Sequence, residues 1–169
     1  PRTTAFLSAC VEQIFFAEAD TVHIHPTDGG AEGDSPVSEL ISTFFKAKQD
    51  QLSLCDQLED IADSLPDRVN RQKCLYAAAA LAPMIRRTHT FEEEVLFPKL
   101  AGLMGSDPLG PKALERFRFE HCEDECFAEE LTEALLDLGR GRENINVEAT
   151  AYMLRGFFEA LRRHIAAEQ

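Results

Sequence analysis

The stretch His89-Thr90-Phe91-Glu92-Glu93-Glu94-Val95-Leu96-Phe97-Pro98 decides how the chain is read. Residues four apart in a helix lie on one face about a turn from each other. His89 and Glu93 can therefore reach one metal ion, or one can bind while the other bridges to a second. The spacing recurs at His121 with Glu125 and at His164 with Glu168, so three of the five histidines head a His-x-x-x-Glu pair. One such pair means nothing, because acidic helices form His and Glu ion pairs on their surfaces freely. What sets these three apart is that each interrupts an apolar stripe.

Working outward, Ser35 and Pro36 predict an N-cap and a first-turn proline opening a helix to about Ser64. Its seam is Leu40, Phe44, Ala47, Leu54, Leu58, Ile61 and Leu65, with Gln51 as the one polar member. After Leu65-Pro66-Asp67 a second helix is expected as far as Phe97, kinked at Pro83, with Leu75, Ala78, Ala82, Ile85, His89, Glu93 and Leu96 in line. Pro98 to Pro111 holds three prolines and three glycines and reads as a loop. A third helix, from about Lys112 to Leu138, carries Leu114, Phe117, His121, Glu125, Ala128 and Leu135 and stops at Gly139-Arg140-Gly141. Asn146 caps a fourth, with Thr150, Met153, Phe157, Leu161, His164 and Glu168 aligned.

Four long helices with short connections predict an all-α, up-down-up-down four-helix bundle over residues 35–169. Residues 1–34 are expected as an N-terminal arm: a short amphipathic helix over 4–18, then a glycine-rich loop carrying His23 and His25. His89 lies about eight residues before its helix ends and His121 about nine after the next begins, which at roughly 1.5 Å per residue puts them level. The same count places His164 in that layer.

Composition narrows the partners. A formal net charge of −13 and a pI near 4.7 argue against nucleic acid and anionic membrane, which demand basic patches. They suit cations. No apolar run reaches the eighteen or so residues of a membrane span, and no basic start leads into an apolar signal segment, so the chain reads as cytoplasmic. Five cysteines without a Cys-x-x-Cys pair read as reduced thiols, with Cys55, Cys74, Cys122 and Cys126 expected as small core fillers. The run Glu120, Glu123, Asp124, Glu129, Glu130 and Glu133 reads as a solvated helix face. The paired phenylalanines at 15 and 16, 44 and 45, and 157 and 158 read as core, with a homodimer face or a cover over a ligand pocket as the other uses open to them. The chain is expected to extend beyond Gln169, one residue past a proposed ligand.

Three imidazoles and three carboxylates turned into a bundle core are costly as bare polar groups, and a cation satisfies them best. Zinc settles for four ligands rich in Cys or His, whereas mixed imidazole and carboxylate sets with bridging Glu in a helical bundle characterise paired iron or manganese. The expected centre is therefore two bridged non-haem iron ions, with Glu93 and Glu168 bridging and His89, His121, His164 and Glu125 as terminal ligands. A register shift would exchange Glu92 for Glu93.

His89-x-x-x-Glu93 followed by Leu96-Phe97-Pro98, with two further pairs on later helices, resembles the hemerythrin family in its HHE cation-binding form. The resemblance covers about residues 36 to 169. It implies a four-helix bundle with a bridged non-haem di-iron centre that binds or senses oxygen, peroxide or nitric oxide, or acts on them in a catalase-like or oxidase reaction. The chain departs from the family on the first helix, where Gln51 takes the place of the usual histidine. An amide oxygen is a poor iron ligand, which leaves three outcomes: an open position for a small molecule, a mononuclear or degenerate site, or completion by His23 or His25. The rival reading is a metal-free helical module that serves only to bind a protein partner.

Overall fold

The structure, a computed structural model, describes residues 36–104, 109–143 and 145–168. The expected N-terminal helix, the loop after it, His23 and His25 lie outside the described residues. Among the described residues every regular element is helical: α1 (Pro36–Ser64), α2 (Arg71–Phe91), a π-turn (Glu92–Leu96), α3 (Phe97–Met104), α4 (Leu109–Arg140) and α5 (Val147–Glu168).

Local sequence explains most of the boundaries. Proline at the first helical position of α1 gives up an N–H that has no partner there anyway. The Asn70 side chain accepts from the Lys73 N–H at 3.0 Å and caps α2, and Asn146 accepts from Ala149 N–H at 2.9 Å to cap α5. At the end of α4, Gly141 takes φ +65°. The Arg142 N–H then donates to Asp137 and the Gly141 N–H to Leu138, both at 3.1 Å, so the last carbonyls are satisfied. Gly139 lies inside that last turn, where an added Cβ would come within 2.6 Å of Leu75. A side chain there would force Leu75 to move.

The segment from Pro98 to Pro111 departs from the expected loop. Helix continues through Pro98 to Met104 and resumes at Leu109, before Gly110 and Pro111. The π-turn makes this possible. A proline ring in a continuous α-helix clashes with the carbonyl four residues back. Here the Phe97 N–H reaches Glu92 O, five residues back, so the ladder is already wide where Pro98 enters. Phe97 and Leu100 are then buried instead of lining a loop.

α2 packs along α4 and α1 along α5, and α1 with α2 and α4 with α5 close the ring. Two apolar layers fill it. The larger is built around Leu54, Leu58, Leu81, Ile85, Leu131, Leu135, Phe157 and Leu161; the smaller holds Leu40, Ile41, Phe44, Leu96, Phe97, Leu100, Leu114 and Phe117. Phe45 is half exposed, unlike Phe44, Phe157 and Phe158. Cys55 and Cys74 are buried fillers as expected, whereas Cys122 and Cys126 are exposed on α4. Burial pushes the Cys55 thiol up to about 12, which keeps it protonated and unreactive.

Candidate metal centre

Between the two apolar layers every long helix contributes polar side chains. Lys48 and Gln51 come from α1, His89 from α2, Glu92 from the π-turn, His121 and Asp124 from α4, and His164 and Glu168 from α5, all buried. The three imidazoles meet. His89 stacks on His121 with centroids 3.9 Å apart, His121 lies 5.1 Å from His164, and Phe97 packs against His121 at 5.7 Å.

Each ring has a carboxylate against its outer nitrogen, hydrogen-bonded at His89 and His121 and in contact at His164. His89 Nδ1–H donates to Glu125 Oε1 at 3.1 Å and His121 Nδ1–H to Glu93 Oε1 at 2.7 Å. His164 Nδ1 lies 3.0 Å from Asp124 Oδ2. The partners of the first two pairs are thus exchanged across α2 and α4: the glutamate one turn after His89 serves His121, and the one after His121 serves His89. All three Nε2 atoms point into the layer with no well-aligned hydrogen bond, as does Glu168 Oε1. A carboxylate on Nδ1 and a free Nε2 is the arrangement that fixes an imidazole for a metal ion.

Glu93 and Glu125 therefore stand outside the layer, with side chains about a third exposed. Glu92 takes the inner place, its Oε2 3.2 Å from His121 Nε2. Positions three and four after His89 straddle its direction on the helix, and the π-turn rolls Glu92 toward the axis. Glu168 keeps the expected place, with Oε1 3.2 Å from His164 Nε2 and 3.5 Å from His121 Nε2. Two groups have ligand atoms within 4.8 Å of one another: His89, Glu92 and His121, and His121, His164 and Glu168. Either could hold an ion, and both use His121.

Lys48 falls outside the expected α1 seam, and Asp124 falls on the face expected to be solvated. The expected α1 seam runs through Ala47, which is only half-buried; the buried stripe instead steps through Phe44, Lys48, Gln51 and Cys55. Those steps of four, three and four are as regular as the steps of the expected seam, and a lysine inside them is the available signal. Lys48 Nζ is fully buried and ion-paired with both Glu92 and Glu168, as a buried lysine must be. Asp124 was assigned to a solvated face, yet its contact with His164 covers it.

The electrostatics follow from these contacts. Burial alone favours neutral rings. At His89 burial wins, with repulsion from His121, His164 and Lys48 added, and the pKa falls to about 2. At His121 burial is outweighed by Glu168, Glu92 and Glu93, which raise it to about 10. At His164 it is outweighed by Asp124 and Glu168, which raise it to about 9. Burial likewise opposes the Lys48 ammonium, but Glu168 and Glu92 overcome it and raise the pKa. Glu168 is held well below the usual carboxylate range, against its burial, by Lys48 first and then by the two imidazoles. On the outer side a hollow of about 300 Å³ reaches His164 between Arg116, Glu120, Asp124 and Arg163.

Fold and centre together define a metal-binding helical domain. The hemerythrin HHE cation-binding domain matches residues 40–169, and the chain belongs to that family. No curated protein and no solved structure matches the chain.

Proposed function

We propose that the chain is a non-haem iron protein whose buried centre binds or senses oxygen, peroxide or nitric oxide. The observation that supports this most directly is the set of three Nε2 atoms turned inward with no aligned hydrogen bond, each ring backed by a carboxylate at Nδ1. His89, His121 and His164 would hold the ion with Glu92 and Glu168; Glu93, Glu125 and Asp124 would orient the rings. An imidazole and carboxylate donor set suits iron or manganese better than zinc. Bound iron supplies a redox-active ion able to take up a small ligand. The apolar layers on either side exclude water, and Gln51, fully buried with both amide atoms unpartnered, offers a hydrogen-bonding group to that ligand.

Anaerobic iron(II) added to chelator-treated protein is expected to stay bound after desalting and to raise the Tm by several degrees, because a ligand of the folded state stabilises it by mass action. His121→Ala, which removes the residue shared by both ligand groups, should lose both effects. Peroxide turnover that disappears with the iron would make the protein an enzyme; binding without turnover would make it a sensor or carrier. The Lys48 ion pairs favour one rival, a metal-free interaction module, since they neutralise part of the buried acid without a metal. A Tm indifferent to iron would count against the iron reading and for that rival.

A further inference from the structure

Lys48 lies in the carboxylate layer itself, and its place there bears on how many ions the layer can take. Its ammonium contacts Glu92 Oε1 and Glu168 Oε2, from opposite sides of the bundle, and all three side chains are essentially without solvent exposure. Among the described residues the other buried carboxylate, Asp124, is engaged with His164. To hold a second ion between them, Glu92 and Glu168 would each have to offer both carboxylate oxygens. One oxygen of each is already given to Lys48. The remaining oxygens, Glu92 Oε2 and Glu168 Oε1, face the imidazole Nε2 atoms.

Charge leads to the same count. With the imidazoles neutral, three buried carboxylates and one ammonium leave the layer at −2, so one divalent ion brings it to 0 and two bring it to +2. A buried layer tolerates the first far better than the second. The α1 position that could coordinate a second ion carries Gln51, a weak donor.

We propose that the Lys48 ammonium takes the place of a second metal ion, so that this is a single-iron centre with a tethered cation fixing the outer oxygens of Glu92 and Glu168. The inference rests on the proposed iron-binding reading and goes further by assigning nuclearity. The test is anaerobic iron(II) titration of the full chain, iron analysis after desalting, and electron paramagnetic resonance after oxidation. The expected result is a plateau at one iron per chain with the signal of an isolated high-spin ferric ion. A plateau at two with a spin-coupled, silent pair overturns the single-ion proposal and leaves iron binding intact. No bound iron overturns the iron reading itself. Lys48→Gln, which frees both outer oxygens, is expected to take up a second iron; a folded Lys48→Gln protein that still holds one shows that Lys48 does not exclude the second ion and overturns its assigned role. If Lys48→Gln does not fold, the stoichiometry and spin state of the unaltered chain decide.

Discussion

Around Leu58, Leu81, Ile85, Leu131 and Leu135 the bundle is held by close-packed side chains with no solvent exposure to speak of. About two to three turns along α1, α2 and α4, and at the same level on α5, Lys48, Glu92, His121, His164 and Glu168 are equally buried and entirely polar. The apolar layer gains from every atom removed from water, about 25 cal/mol per Å², and needs no particular partner. In the polar layer the desolvation cost is met only while each charge keeps its counterpart. The first layer is therefore tolerant and insensitive to solution conditions, and the second is specific and responsive to pH and to cations. The surface ion pairs that link α1 to α5, such as Arg162 with Asp56 and Glu59, contribute little to either.

The largest expected effect comes from breaking a pair in the polar layer. In chelator-treated protein, Lys48→Met should cost about 3–5 kcal/mol in urea unfolding, because it leaves two buried carboxylates facing each other. A cost below about 1 kcal/mol would mean that the layer is hydrated and the contrast false. In the apolar layer, Leu131→Ala should cost about 2–5 kcal/mol through transfer and cavity terms. That loss should be the same with and without iron, which sharpens the contrast.

A smaller effect is expected from pH. His121 and His164 have folded pKa values of about 10 and 9, above the ordinary 6.5. Their contribution is complete below pH 6.5 and is lost as pH rises through 9 to 10. His89, lowered to about 2, acts the opposite way: the unfolded ring takes up a proton below 6.5 and stability falls as pH falls. Glu168, held low, adds a further loss in acid. Thermal melts of metal-free protein should therefore peak near pH 6.5, with the alkaline limb set by two imidazoles and the initial acid limb by one. A flat profile from pH 6 to 10 would count against the polar layer as described. The smallest effect belongs to neither region: Asn146→Ala, far from the centre, should cost about 1 kcal/mol through the lost cap and leave iron stoichiometry unchanged.

The helices were legible because their signals are local. Pro36, Asn146 and Gly141 act on their own backbone, and apolar residues at spacings of three and four show where each helix runs. The common layer of His89, His121 and His164 was legible for a related reason, since helical rise per residue is constant and counting from the helix ends is enough. The continuation of helix through Pro98 was not, because the π-turn that permits it is a property of the ladder.

By itself the sequence determined an all-α chain with three imidazoles at one height. It could not determine which glutamate faces inward. Glu92 and Glu93 flank the direction of His89 almost symmetrically, so the choice depends on how α2 is rotated against α4 and α5. Nor could it show that Glu93 and Glu125 trade histidines across helices, or that Lys48 turns in instead of out. A lysine can reach either way, and only the meeting of Glu92 from one helix with Glu168 from another makes the buried position stable. Those outcomes belong to the tertiary structure because each depends on charges brought together from separate helices, whose mutual distances no local pattern encodes.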